Sequence, residues 1–360
     1  MIRMNKLKEI REKRKLSIKE AAKILGLRND IYSMIEDGLL DDNELIIKQY
    51  STFEFKLKNQ KKTNLLCTNQ PIVLTLQPFK GGTGKTTSII NIGSCLAEMG
   101  YQVLLVDTTG QCDVTQMFLD EEYIELGDKL SALQEQGKEI TEDDITIHSL
   151  LEALHKGDDI RNYIMPTRKH DFIDVIPSEV DMKTVYSDFL QNRPMREQIL
   201  QKAFRGVMKE NFYDFILIDV ENNAERPWKH AIYNITPNPV YVYAISECAE
   251  ESQQLYPVLL GDIEFDKEWV DFEFLGVALS RVSQASKPVY EEGVTTFKET
   301  LPPEYQLQTQ LRQDITVTKS KQQHILITQM SGVNRLKIVQ DSRSLTNELL
   351  EKIKKFEKGE

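Results

Sequence analysis

The sequence predicts an α/β fold in which a mostly parallel sheet flanked by helices follows a small all-helical module. Three observations predict it. The runs PIVLTLQ, YQVLLVD and YDFILID are unbroken apolar stretches, the pattern of strands buried on both faces of a parallel sheet. The first run leads into a glycine-rich turn and then a helical stretch from Ser88 to Met99. The first 62 residues carry 15 Lys/Arg and 10 Asp/Glu, a net of +5 ahead of a body with a net of −16. A basic module on an acidic body suggests two different tasks.

Composition narrows the classes further. Hydrophobic residues make up 40% and charged residues 28% of the 360, the mix of a globular protein with a real core. No run of 18 apolar residues predicts a membrane span, and the start MIRMNKLKEIREKRKLS lacks the apolar stretch of a secretory signal. Cys67, Cys95, Cys112 and Cys248 have no metal-ligand spacing and read as reduced thiols of a cytoplasmic protein.

A first domain is expected over residues 1–55, with three or four short helices fitting residues 5–50. Asn5 to Arg14 turns Leu7 and Ile10 inward. Ser17 stands three residues before Glu20, the capping-box spacing, and opens a helix through Ala21, Ala22 and Ile24 to Leu25 that stops at Gly26. Further helices fit Asp30 to Glu36, before Gly38, and Glu44 to Tyr50. The stretch LSIKEAAKILGLRNDIYSMIEDG resembles the helix-turn-helix of the Xre/Cro family. That resemblance implies operator DNA as a partner and puts Arg28, Asn29, Tyr32 and Ser33 at the start of a recognition helix in the major groove. The alternative reading is a helical cap or dimerisation module. Residues 56–70, KLKNQKKTNLLCTNQ, are polar and lysine-rich and read as a linker to a body over 71–360.

Strand, glycine-rich turn, helix is the context of a phosphate-binding loop. Gly81, Gly82 and Gly84 let backbone N–H groups converge on phosphate oxygens, and the helix N-terminus adds its partial positive charge. Lys85 is placed to reach the β- and γ-phosphates, and the Thr86 hydroxyl to ligate Mg²⁺. The strict GxxxxGK pattern fails, because Phe79 stands at the first glycine. What is present is KGGTGKTT, residues 80–87, with an extra lysine at its head. This resembles the deviant Walker A loop of the ParA/MinD family, over roughly residues 71–330. The resemblance implies a P-loop ATPase fold with ATP and Mg²⁺ as cofactors and a dimer formed on ATP binding. It implies that Lys80 contacts the partner protomer's phosphates, that Thr83 and Thr87 complete the nucleotide loop, and that Asp107 and Asp219, at the ends of YQVLLVD and YDFILID, lie near the metal. Further strands are expected at about Pro239 to Ser246 and Phe274 to Leu279.

The pattern departs from that family in two places. Asp107, Gln111 and Thr115 match the stretch after the second strand, but Thr109 replaces the aspartate that handles the attacking water. A threonine orients water without accepting its proton, and such a loss typically costs ~10²–10⁴-fold in rate. After the third run the chain reads Asp219-Val220-Glu221-Asn222 in place of the usual prolines. Either Glu221 or Asp113 supplies the missing carboxylate, or hydrolysis is slow and ATP acts as a switch.

The resemblance also implies non-specific DNA binding through late basic side chains, for which Arg281, Lys287, Arg312, Lys319 and Lys321 are candidates. The last segment, SLTNELLEKIKKFEKGE, places Leu345, Leu349, Ile353 and Phe356 on one helical stripe. Its glutamates offset its lysines, so packing against the body is expected rather than a membrane contact. The combined expectation is a cytoplasmic, nucleoid-associated partition ATPase with a ParB-like centromere-binding partner. The alternative is a regulator of transcription or replication in which ATP only gates DNA binding.

Overall fold

The computed structural model describes residues 11, 17–25, 32, 33, 36, 70–119, 149–179, 196–222, 224–282, 287–333 and 336–358. Most of the expected helices at Asn5–Arg14, Asp30–Glu36 and Glu44–Tyr50 lie outside these residues, as do the linker at 56–69, Arg28 and Asn29.

Helix α1 (Ile18–Leu25) forms where the Ser17 signal predicts it, and Ala21 N–H donates to the Ser17 carbonyl at 3.0 Å. Ala21, Ala22 and Tyr32 are fully buried. The Tyr32 hydroxyl donates to Glu36 at 2.9 Å, and Arg11 donates to both oxygens of the same carboxylate at 2.8 and 3.1 Å. Burial and Glu36 hold the Tyr32 phenol above its ordinary pKa. Tyr32 is thus a core residue and not a groove reader, while Ser33 is half-buried.

The body is built on eight strands: β1 (Ile72–Leu76), β2 (Val103–Asp107), β3 (Met165–Pro166), β4 (Ile173–Ile176), β5 (Phe215–Asp219), β6 (Val240–Glu247), β7 (Phe272–Val282) and β8 (Gln306–Arg312). Their order across the sheet is β3-β4-β2-β5-β1-β6-β7-β8. Every pairing is parallel except β3 with β4. Every residue of β1, β2 and β5 is buried, as unbroken apolar runs require, and helices cover both faces. In register, Asp107 pairs with Asp219, so two carboxylates share the C-terminal edge beside β1.

Helix α2 (Lys85–Glu98) begins three residues before the expected Ser88. Gly84, in the left-handed region at φ 95°, turns the chain directly into the helix, so Lys85, Thr86 and Thr87 form its first turn. A Cβ on Gly93 would sit 3.1 Å from Leu105 and 3.2 Å from Leu217, so the missing side chain lets α2 lie close on β2 and β5.

Six further helices are α3 (Leu150–Lys156), α4 (Ile199–Glu210), α5 (Arg226–Tyr233), α6 (Glu250–Gln253), α7 (Tyr256–Lys267) and α8 (Lys287–Thr300). Among the described residues, α9 (Ile315–Gln323) and α10 (Lys337–Lys358) come last in chain order. Helix α10 packs on α2 and β8 with Leu345, Leu349 and Ile353 buried, while Phe356 at the end of the stripe stays 40% exposed. Glu348 accepts from the Gln308 and Thr309 N–H groups at 2.6 and 2.9 Å, satisfying part of the edge of β8. Among the described residues no helix is long and apolar enough to cross a membrane.

Candidate nucleotide site

The loop at 80–87 sits at the C-terminal edge of β1, with Gly82 also in the left-handed region at φ 77°. The Lys85 ammonium is buried and donates to the Lys80 carbonyl at 2.7 Å. Burial pulls its pKa down to about 8, with Asp219 opposing the fall. Thr83 is buried, and its carbonyl accepts from the Ser280 hydroxyl at 2.8 Å, tying the loop to β7.

The two paired aspartates differ sharply. Asp107 accepts from four donors: the N–H and hydroxyl of Thr109 on one oxygen, and those of Thr115 on the other, all between 2.8 and 3.0 Å. Its carboxylate anchors the chain that follows β2. Asp219 is equally buried, yet no protein donor meets either oxygen in good hydrogen-bonding geometry, and only the neighbouring Thr86 hydroxyl comes near enough to favour its charged form. Burial pushes its pKa up to about 8, Asp107 adds to the rise, and Thr86 and Lys85 oppose it. Buried carboxylate oxygens with so few donors are fitted to hold a cation. The hard oxygen set of Asp219 with the neighbouring Thr86 hydroxyl suits Mg²⁺.

A cavity of about 280 Å³ opens above this edge, lined among others by Lys85, Thr86, Thr109, Asp113, Glu221 and Arg281. The structure therefore brings Thr109 together with both carboxylates considered for its replacement. The Thr109 hydroxyl is spent on Asp107 at 2.9 Å. Glu221 accepts from the Gly110 N–H at 2.8 Å, and Asp113 pairs with Lys321 at 3.0 Å. A second cavity of about 310 Å³ adjoins the first along α2, between α9 and α10, and is lined among others by Asn91, Ser280, Gln313 and Asp314.

The late basic residues part company. Arg281 lines both cavities, with its backbone at φ 52°, a conformation costing of order 1 kcal/mol or more for a residue with a side chain. It thus stands at the mouth of the first cavity. Arg312 is locked onto Asp341 at 2.6 and 2.8 Å, and Lys321 onto Asp113. Lys319 is exposed on α9, and Lys287 is the first residue of α8.

Two residues that motif reading did not reach, Glu247 and Ser252, complete the site. Lys80 donates to the Ser252 hydroxyl at 3.1 Å and lies 3.8 Å from Glu247, whose other oxygen pairs with Arg281 at 2.9 Å. One carboxylate therefore holds two cations, of which Arg281 lines the cavity. Removing that charge with Glu247→Gln is expected to tighten nucleotide binding about 3–10-fold, since both cations turn to phosphate more readily. Titration with a fluorescent ATP analogue checks this, and weaker binding would mean that Glu247 positions Lys80 rather than restraining it.

Parallel order, glycine loop, helix N-terminus and paired aspartates define a P-loop nucleotide-binding ATPase fold. Residues 72–227 match the family model described as an AAA domain. An uncharacterised protein of Mycobacterium tuberculosis is 32% identical over 149 residues, 41% of this chain and 39% of that protein. The chain thus matches less than half the length of that relative. The virulence plasmid ParA family protein pGP5-D of Chlamydia psittaci is 26% identical over 296 residues, 78% of this chain and 95% of that protein. The ATP complex of McdA from Cyanothece superposes with a TM-score of 0.59 at 17% identity, covering 78% of this chain and 96% of that one. Fold, loop and relatives together make the body similar to the P-loop ATPases of the ParA/MinD type.

Proposed function

We propose that this chain is a partition-type ATPase that uses ATP·Mg²⁺ to switch between states of DNA attachment. The observation that carries it is Asp219, buried with so few donors beside Lys85 and Thr86 at the foot of a glycine loop. In this reading Gly81, Gly82, Thr83, Gly84 and Thr87 line the phosphates, and Lys85 neutralises them. Asp219 and Thr86 hold Mg²⁺, which supplies charge neutralisation at the transferred phosphoryl group when bound. Asp107, saturated by Thr109 and Thr115, sets the position of the following loop from one shell further out. The adjoining cavity beside Asn91 and Ser280 offers room for the nucleoside end.

Lys80 rests on its own protomer's Ser252 and Glu247, at the surface, as a residue destined for a second copy's nucleotide would. ATP would then join two copies across the loops, DNA would bind the dimer, and a ParB-like partner would trigger hydrolysis and release. The N-terminal module at 1–55 would contact operator DNA, with the lysine-rich stretch after it adding the positive charge.

The reading is tested by steady-state ATP hydrolysis with and without duplex DNA. Turnover that DNA raises, and that Lys85→Ala lowers at least 10²-fold, is the expected outcome. Absence of nucleotide binding in the wild type would sink the reading. A second reading, an ATP-gated regulator with negligible turnover, is favoured by the Thr109 hydroxyl facing Asp107, which leaves that position without a base. Tight ATP binding with no turnover under any of these conditions would select it.

A further inference from the structure

Helix α7 is apolar on two opposite sides. Tyr256, Leu259 and Ile263 are buried against the body. On the outer side Leu255, Val258 and Phe265 are 38, 61 and 40% exposed, and Trp269, in the turn that follows, is 69% exposed. Spacings of three, seven and four residues place them on one stripe of a 3.6-residue helix, about 20 Å long. Scattered exposed apolar side chains need no explanation, but a continuous stripe of this kind marks a contact surface.

Gly261 provides an independent observation. It lies on the same stripe between Val258 and Phe265, and a Cβ built there meets nothing within 4 Å. Internal packing therefore does not require glycine at this exposed mid-helix position, although glycine costs it ~1 kcal/mol of helix stability relative to alanine. A notch between two apolar knobs admits the backbone of another helix.

The charge around the stripe selects the occupant. Glu251, Glu264, Glu268 and Asp271 are exposed around it. The two nearby cations are engaged: Arg226 pairs with Asp262 at 3.0 Å and covers the Phe265 ring at 4.2 Å, while Lys267 faces Glu273 at 3.8 Å. A second copy of the same face would set acid against acid. We propose that the outer face of α7 docks an amphipathic helix of a partner protein, apolar on one side and flanked by lysine or arginine. Helix α7 follows directly on α6, whose Ser252 accepts from Lys80, so occupancy of this face bears on the nucleotide loop.

The test places a photo-crosslinking phenylalanine analogue at position 258 of the full chain in the cells that carry it, and sequences the adduct. A single basic, apolar helical segment of another protein is expected. Adduct yield should fall at least tenfold when Glu264, Glu268 and Asp271 are changed together to lysine. Gly261→Ala should lower the yield several-fold while raising the melting temperature, opposite signs that a merely structural glycine would not give. Unchanged melting of the triple variant shows that the loss is at the surface. Adducts to this chain's own residues 250–271 would overturn the proposal in favour of a self-contact, and adducts to many proteins that survive charge reversal would overturn it outright. A parallel measurement in Lys85→Ala separates failure of this surface from failure of the nucleotide-switch reading.

Discussion

Asp219→Asn is expected to stabilise the nucleotide-free protein and at the same time to lower ATP turnover by at least 10²-fold. The two effects share one cause. The Asp219 carboxyl, raised from 3.8 to about 8, is disfavoured as an anion because it is buried and sits beside Asp107, which Thr86 and Lys85 only partly offset. A folded pKa above the unfolded one gives stability that is complete below pH 3.8 and is lost progressively as the pH rises towards 8. The amide carries no charge, so its advantage over the acid should be negligible near pH 4 and greatest above pH 8. Relief of a buried, unsatisfied group is worth about 1–3 kcal/mol, and a domain of this size shifts roughly 2–4 °C per kcal/mol. Melting temperatures of both proteins between pH 5 and pH 9 measure it. A variant that melts below wild type at pH 8 would show that the carboxylate has a partner that the structure does not reveal.

The same carboxyl gives the binding reaction its pH dependence. Mg²⁺ needs the anion, so its capture displaces a proton wherever Asp219 is protonated beforehand. Magnesium-dependent nucleotide binding should therefore strengthen up to about tenfold per pH unit between pH 6 and pH 8 in wild type and lose this slope in Asp219→Asn. Above about pH 8 the buried Lys85, drawn down to about 8, begins to lose its own charge and works in the opposite direction. A maximum near pH 8 follows from the two groups together.

What the sequence made legible, and what it did not, divides along physical lines. The strands β1, β2 and β5 announce themselves as unbroken apolar runs because both of their faces are covered. The loop at 80–87 is legible because its glycines and lysine lie within eight residues. Strand β8, QLQTQLR, carries no such signal: it is an edge strand, half-exposed, and two of its N–H groups turn to Glu348 from a helix some 40 residues away. Glu247 and Ser252 were likewise out of reach, since they meet Lys80 only through the pairing of β1 with β6. Tyr32 shows the reverse hazard. Its place in a helix-turn-helix pattern suggests a reader of bases, yet an aromatic ring beside two buried alanines serves the core, and its hydroxyl is satisfied within it. Arg281 and Arg312 look alike in sequence, but the fold sends one to a cavity mouth and the other to Asp341.

Thr109→Asp is expected to raise ATP turnover by about 10²–10³-fold if no other group replaces the missing carboxylate. The Thr109 hydroxyl donates to Asp107, and an aspartate at that position would face a buried anion with another anion beside it. Its carboxylate is driven away from Asp107 and into the cavity, where a base is needed, while the nucleotide-free protein loses one hydrogen bond and about 1 kcal/mol or more. Gain of turnover with loss of stability is therefore the expected pair. The competing possibility is Glu221, which faces the same cavity but also accepts from the Gly110 N–H. Glutamine preserves that acceptor and removes the base, whereas alanine removes both. If Glu221 only holds the loop, Glu221→Gln turns over as wild type and Glu221→Ala falls. If it takes the proton, both fall alike, about 10²-fold or more, and Thr109→Asp restores turnover in each. Single-turnover hydrolysis of pre-bound ATP in wild type, the three single variants and the two double variants separates these outcomes, because it reads the chemical step without nucleotide affinity.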